Sequence, residues 1–190
     1  MIQTLLNYLF RYFLFTRNKN VILNGKLKIK NKPLVHILDG SKLIIGENAT
    51  LNSKNAKYHI NMFAPVKIYI DKVGAQIRIG NNTRIHGSCL HAYESIVIGD
   101  NCLIAANCQI FDGSGHDIYL DDPSERVYSK GTAKPIIIGN NCWIGTSAII
   151  LPGTILGNNC VVAAGSVVNG NFEDNSLVGG NPAKFIKLIK

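Results

Sequence analysis

Residues 138–167 read I-G-N-N-C-W, I-G-T-S-A-I, I-L-P-G-T-I, L-G-N-N-C-V and V-A-A-G-S-V, five hexads in unbroken succession, and Val168 opens the next. An aliphatic residue starts each hexad and a small one sits fifth: Cys142, Ala148, Thr154, Cys160 and Ser166. Residues two apart in a strand point the same way, so each fifth residue faces inward together with the aliphatic that follows it. The Asn-Asn pairs and Gly fall where the backbone must turn, because these residues tolerate positive φ. A short fixed period of this kind is the mark of a parallel β-helix in which three hexads, about 18 residues, close one triangular coil.

Working outward, the same rhythm starts at Ile79-Gly80-Asn81-Asn82-Thr83-Arg84 and Ile85-His86-Gly87-Ser88-Cys89-Leu90. The segment His91 to Val97 is one residue too long and predicts a bulge or widened corner. Hexads from Ile98 and Ile104 follow, and the rhythm then stops at Ile110. Phe111 to Pro135 is a 25-residue excursion, and a long interruption of a solenoid maps to a loop on one face, often the binding face. Between Val21 and Val73 the repeat is ragged, with one clean hexad at Ile45 and loops expected near residues 31–33 and 52–65. His36 and His59 have no partner at a useful spacing there and read as structural. The expected organisation is a terminal segment at 1–18, a β-helix at 19–174 interrupted by the 111–135 loop, and a basic C-terminal segment at 175–190.

Residues 1–16 form an apolar, helix-patterned run, too short for a comfortable membrane span and interrupted by Arg11. It reads as a cap over the open end of the coil, or as a helix lying on a membrane surface with Arg11, Arg17 and Lys19 at the headgroups. It lacks the charged start and cleavage site of a signal peptide. All five cysteines, Cys89, Cys102, Cys108, Cys142 and Cys160, fall fifth in a hexad, so they are expected as small interior fillers. Their odd number and the absence of a C-x-x-C pair argue against a disulfide framework or a zinc knuckle. Buried reduced thiols suit the cytoplasm, where the terminal segment would meet the inner face of the membrane. The net charge of +8 favours an anionic ligand or surface, or serves solubility. No nucleic-acid-binding motif is present.

The run with Cys142-Trp143-Ile144-Gly145, Leu151-Pro152-Gly153, Ala164-Gly165-Ser166 and Gly180-Asn181-Pro182-Ala183-Lys184 resembles the hexapeptide-repeat acetyltransferases, as does Ile79 to His116 with its I-F-D-G-S-G-H. The resemblance covers roughly residues 77–187 and is nearest to the sugar and polysaccharide O-acetyltransferases. It implies a left-handed parallel β-helix, a homotrimer, acetyl-CoA as acyl donor with no metal, and a sugar or glycan acceptor. It also implies His116 as general base, Trp143 beside the CoA arm, Thr146 and Ala164 along the pantetheine channel, and Lys184 and Lys187 at the CoA phosphates. The family often has Arg at the last two positions, and Lys keeps the charge without the bidentate fork. No match to the family's acceptor-binding residues appears near positions 91–95.

Histidine suits proton removal from a sugar hydroxyl because its pKa lies near working pH. Asp112 or Asp117 is placed in sequence to orient the imidazole of His116, and Asp112 equally suits a turn. Two other readings stand beside acetyl transfer: a zinc site of the γ-carbonic-anhydrase kind using His86, His91 and His116 across a trimer interface, and a non-catalytic trimeric scaffold.

Overall fold

The computed structural model describes residues 12–117, 121–129 and 131–189. Its strands stack into three sheets that are the three faces of one coil. The first face stacks Val21–Leu23, Lys42–Ile45, Gln76–Ile79, Ser95–Ile98, Ile136–Ile138, Ile155–Leu156 and Asn171–Phe172. The second stacks Lys28–Lys30, Thr50–Asn52, Arg84–His86, Leu103–Ile104, Trp143–Ile144, Val161–Val162 and Ser176–Gly180. The third stacks Leu34–Ile37, Lys67–Ile70, Cys89–Ala92, Gln109–Phe111, Ile149–Ile150 and Val167–Val168. All these neighbours are parallel, and the last described strand, Ala183–Leu188, turns back antiparallel on Ser176–Gly180.

The hexad-opening aliphatics form one vertical column on each face. Ile45, Ile79, Ile98, Ile138 and Leu156 lie in register on the first, and Leu51, Ile85, Ile104, Ile144, Val162 and Val178 on the second. All are buried. Each such side chain stabilises the coil by roughly 1.5–3 kcal/mol through removal from water. The fifth-position column does more than fill space. Thr83 Oγ1 donates to the Gly99 carbonyl (2.7 Å), Cys102 Sγ to Gly139 (3.1 Å) and Cys142 Sγ to Gly157 (3.1 Å), so these three donors bond one coil onward, whereas the Ser166 hydroxyl bonds Ala163 in its own corner (2.7 Å).

The corner after the first face is built from polar ladders. The Asn81 side-chain oxygen accepts the N–H of Glu47 (2.8 Å), Asp100 that of Asn81 (2.7 Å), Asn140 that of Asp100 (2.8 Å), and Asn158 that of Asn140 (2.8 Å). Asp174 accepts from Asn158 (2.7 Å). The next residue at each corner, including Asn82, Asn101, Asn141, Asn159 and Asn175, has φ of 56–62°. Asparagine adopts that conformation at low cost. The preceding glycine is required by close approach: a Cβ on Gly80 would lie 2.4 Å from the backbone of Gly99.

Two expectations about register are corrected. Cys89 is not an interior filler. Ile85 and Leu90 are both buried but only five residues apart, so Ser88 takes the inward place and Cys89 faces out, half-buried. The second correction concerns the end of the coil. Ser176–Gly180 belongs to the second face, with Val178 stacked on Val162 and fully buried, so the coil runs past residue 174.

The widened corner expected between His91 and Val97 is present, at Tyr93, Glu94 and Ser95. Near the N-terminus, Tyr12–Thr16 makes one π-helical turn, and Phe15, 2% exposed, joins the core cluster with Leu27 and Leu43. The rest of the apolar run, including Arg11 and its membrane-surface reading, lies outside the described residues. No described helix is long and apolar enough to cross a membrane.

Candidate functional site

On the second face the outward residues of successive coils form a line: Arg84, Leu103, Trp143 and Val161 are paired in register. Beside this line run Ala105, Gly145-Thr146 and Ala163-Ala164, where the coils turn toward the third face. These residues floor a groove of about 560 Å³. Gly145 keeps the turn tight, since a Cβ there would lie 2.6 Å from the Ala164 nitrogen. The Thr146 hydroxyl is committed to the Ala106 carbonyl (2.8 Å). Trp143 is 54% exposed, far more than a core indole.

The opposite wall of the groove is Tyr58, His59 and Ile60, from the loop between Thr50–Asn52 and Lys67–Ile70. Asn107 fastens that loop: its side chain donates to the Asn61 carbonyl and accepts the Phe63 N–H, both at 2.9 Å. Met62 is buried over Gly87, where a Cβ would sit 2.0 Å from Met62 Cγ. Tyr58 stacks on His86 with centroids 4.8 Å apart.

His86 meets Asn52 through Nδ1 at 3.0 Å. Burial, then electrostatic repulsion from Arg84, Lys30 and His59, pushes its pKa down to about 4. The ring is therefore neutral near pH 7. His59, expected to be structural, is in fact a groove residue.

The structure brings three of the expected site residues, Trp143, Thr146 and Ala164, into this groove. Lys184 and Lys187 are exposed on Ala183–Leu188, at the end of the same face. His116 is exposed in the 111–135 loop and is not among the groove's lining residues in its own chain.

That loop has a firm neck. Gly113 bridges Ala133, Lys134 N–H donates to the Asp112 carbonyl (2.7 Å), and the Ser114 hydroxyl donates to the carbonyl of His116 (2.5 Å). Its two carboxylate candidates are otherwise engaged. Asp112 is fully buried and accepts backbone N–H groups of Tyr93 (2.6 Å), Glu94 (2.8 Å) and Ser95 (2.5 Å), which closes the widened corner. That replaces its expected role as the residue orienting His116. Asp117 accepts the Thr132 N–H (3.0 Å) within the loop.

Within one chain the histidines considered for zinc lie on different faces. His86 is on the second face with Asn52, and His91 is on the third with Asp71 (3.0 Å). Among the described residues no group of three His, Cys, Asp or Glu side chains is placed to hold a metal ion.

Sequence reasoning missed the far wall of the groove, because Tyr58 and His59 sit in a stretch without hexad rhythm. Arg84, Leu103 and Val161 were recoverable, since each is the sixth residue of a hexad, as Trp143 is.

The model of the hexapeptide repeat of succinyl-transferase matches residues 76–111 and 135–169, the two blocks on either side of the loop. A Saccharomyces cerevisiae protein named as an acetyltransferase is 40% identical over 117 residues, 61% of this chain and 58% of that protein. WbbJ of Escherichia coli, named for O-acetyl transfer in lipopolysaccharide biosynthesis, is 30% identical over 143 residues, 72% of this chain and 73% of that protein. A solved hexapeptide-repeat-containing acetyltransferase from Vibrio cholerae, complexed with acetyl coenzyme A, is 25% identical with a TM-score of 0.59, covering 96% of this chain and 76% of that one. The chain spans 58% and 66% of the length of the yeast relative and of a Dictyostelium discoideum relative. With hexads, groove and fold in agreement, the chain belongs to the hexapeptide-repeat acetyltransferases, and its coil is their left-handed parallel β-helix.

Proposed function

We infer that the protein is an acetyl-CoA-dependent O-acetyltransferase acting on a hydroxyl of a sugar or glycan. The observation that supports this best is the placement of Trp143, Thr146 and, one coil on, Ala164 along one groove. Its long apolar floor suits a pantetheine arm. Trp143 would pack on that arm, and Lys184 and Lys187 would meet the phosphates at the end of the same face.

In the reaction the acceptor hydroxyl attacks the thioester carbonyl carbon. The C–O bond forms, the C–S bond breaks, and the hydroxyl proton passes to the His116 imidazole and then to the leaving thiolate. His116 stands outside the groove of its own chain, so in this reading a neighbouring copy in a homotrimer presents it. Four of the five thiols are buried among core residues, and burial raises the Cys108 thiol to about 11. Direct transfer therefore fits better than an acetyl-cysteine intermediate.

Thiol release from acetyl-CoA, screened over free sugars, nucleotide sugars, oligosaccharides and lipid-linked glycans, tests the reaction and the acceptor together. Acceptor-dependent release supports the reading; none with any of these acceptors would overturn it.

A further inference from the structure

A second cavity, about 540 Å³, adjoins the groove and shares Tyr58 and His86 with it. Its character is different. Lys30, Lys54 and Lys57 line it with Asn52, and among the described residues no carboxylate lines it. Lys30 ends a strand of the second face, while Lys54 and Lys57 come from the fastened loop. The three ammonium groups are exposed, and none has a described ion pair or side-chain hydrogen bond. Three like charges around one concavity repel one another, and a bound anion relieves that repulsion.

The cavity also holds an oriented neutral donor. The Asn52 side-chain oxygen accepts the Lys54 N–H (3.0 Å), so the atom facing His86 is the amide nitrogen, which must donate. His86 Nδ1 is then the acceptor, and the ring proton resides on Nε2.

Position decides which anion. Along the second face the order runs Lys28–Lys30, Thr50–Asn52, Arg84–His86, Leu103–Ile104, Trp143–Ile144, Val161–Val162, Ser176–Gly180 and Ala183–Leu188. Six strand steps separate Asn52 from Lys184. At about 4.8 Å per step that is roughly 29 Å. A donor whose phosphates lie at Lys184 and Lys187 directs its thioester toward Tyr58 and His86. The lysine cavity lies beyond that point.

We propose that the cavity formed by Lys30, Lys54 and Lys57 binds the phosphate or diphosphate of a phosphorylated sugar acceptor, with Tyr58 and His86 at its junction with the donor groove. This rests on the acetyl-transfer reading and specifies its acceptor as anionic. The phosphate can belong to a nucleotide-linked or a lipid-linked sugar.

The test is calorimetric, on the full chain, with inorganic pyrophosphate, UDP, a prenyl diphosphate in detergent micelles, and 3′,5′-ADP as a probe of the donor's phosphates. The wild type, Lys30→Gln/Lys54→Gln/Lys57→Gln and Lys184→Gln/Lys187→Gln are compared, each checked for an unchanged melting temperature.

In the first variant pyrophosphate binding weakens at least about tenfold, as expected when charge-assisted contacts are lost, while 3′,5′-ADP binding is unchanged. The second variant shows the reverse. Tighter binding of UDP or of the prenyl diphosphate identifies the acceptor's carrier. Pyrophosphate binding that is absent, or indifferent to the three lysines, overturns the proposal. So does loss of 3′,5′-ADP binding in the first variant, which would make the cavity part of the donor site. Thiol release is scored separately: its absence alongside lysine-dependent pyrophosphate binding sinks the transferase reading and not the anion site.

Discussion

Asn52 fixes the tautomer of His86. The carboxamide is almost fully buried, its oxygen is engaged by Lys54 N–H, and its nitrogen faces His86 Nδ1 at 3.0 Å. A neutral imidazole with its proton on Nε2 is the result, at the junction of the apolar groove and the lysine-lined cavity.

The neutrality of His86 has a pH consequence. Its folded pKa of about 4 lies below the 6.5 of an unperturbed histidine, so between these values the unfolded chain binds the extra proton. Its contribution to stability is complete above 6.5, is lost progressively as pH falls towards 4, and levels off below. Thermal melts across this window should show a decline that is smaller in His86→Gln. An identical decline in both proteins would contradict the assignment.

His116→Ala should leave the melting temperature within a few degrees, because the side chain is exposed. Turnover should fall by at least about a hundredfold, the scale of a lost general base. Near-normal turnover in a folded variant would remove His116 from the chemistry.

Asp112→Asn separates a corner role from a catalytic one. The substitution replaces a carboxyl whose two oxygens accept three backbone N–H groups with a carboxamide that has one accepting oxygen, and a loss of about 2–3 kcal/mol in unfolding free energy is expected. The pH profile of turnover should not move. A displaced acid limb with unchanged stability would restore Asp112 as a partner of His116.

Trp143 is the sole tryptophan, so its emission reports on the groove without labelling. Added CoA should shift or quench it. Lys184→Gln/Lys187→Gln should weaken the titration about tenfold while keeping the same end point, since phosphate contacts are lost and the indole contact is not. Emission unresponsive to saturating CoA would place the donor elsewhere.

The fold was legible because its code is local. Each hexad states its inward residues through a two-residue spacing, and the sixth position states the outward line that became the groove floor. Cys89 shows where that legibility ends. A five-residue step from Ile85 to Leu90 preserves the buried aliphatics but changes which small residue faces inward, and both Ser88 and Cys89 suit the place. Asp112 was ambiguous for a related reason. Its three N–H partners lie 17–19 residues back, one coil away, and a carboxylate's partner across a coil leaves no trace in its immediate neighbours. The Tyr58 wall is set by Asn107 reaching 44–46 residues back, beyond any periodic signal.

The corner ladder of Asn81, Asp100, Asn140, Asn158 and Asp174 has a consequence for how such a molecule can change length. Every rung is held by the same bond to the rung after it, so stability is close to a sum of neighbour terms. Duplicating residues 138–155 would extend the ladder by one identical link and lengthen the groove by one strand spacing, about 4.8 Å. The coil is thus a ruler graduated in single turns, and the reach between its two lysine-bearing ends can be set by counting them.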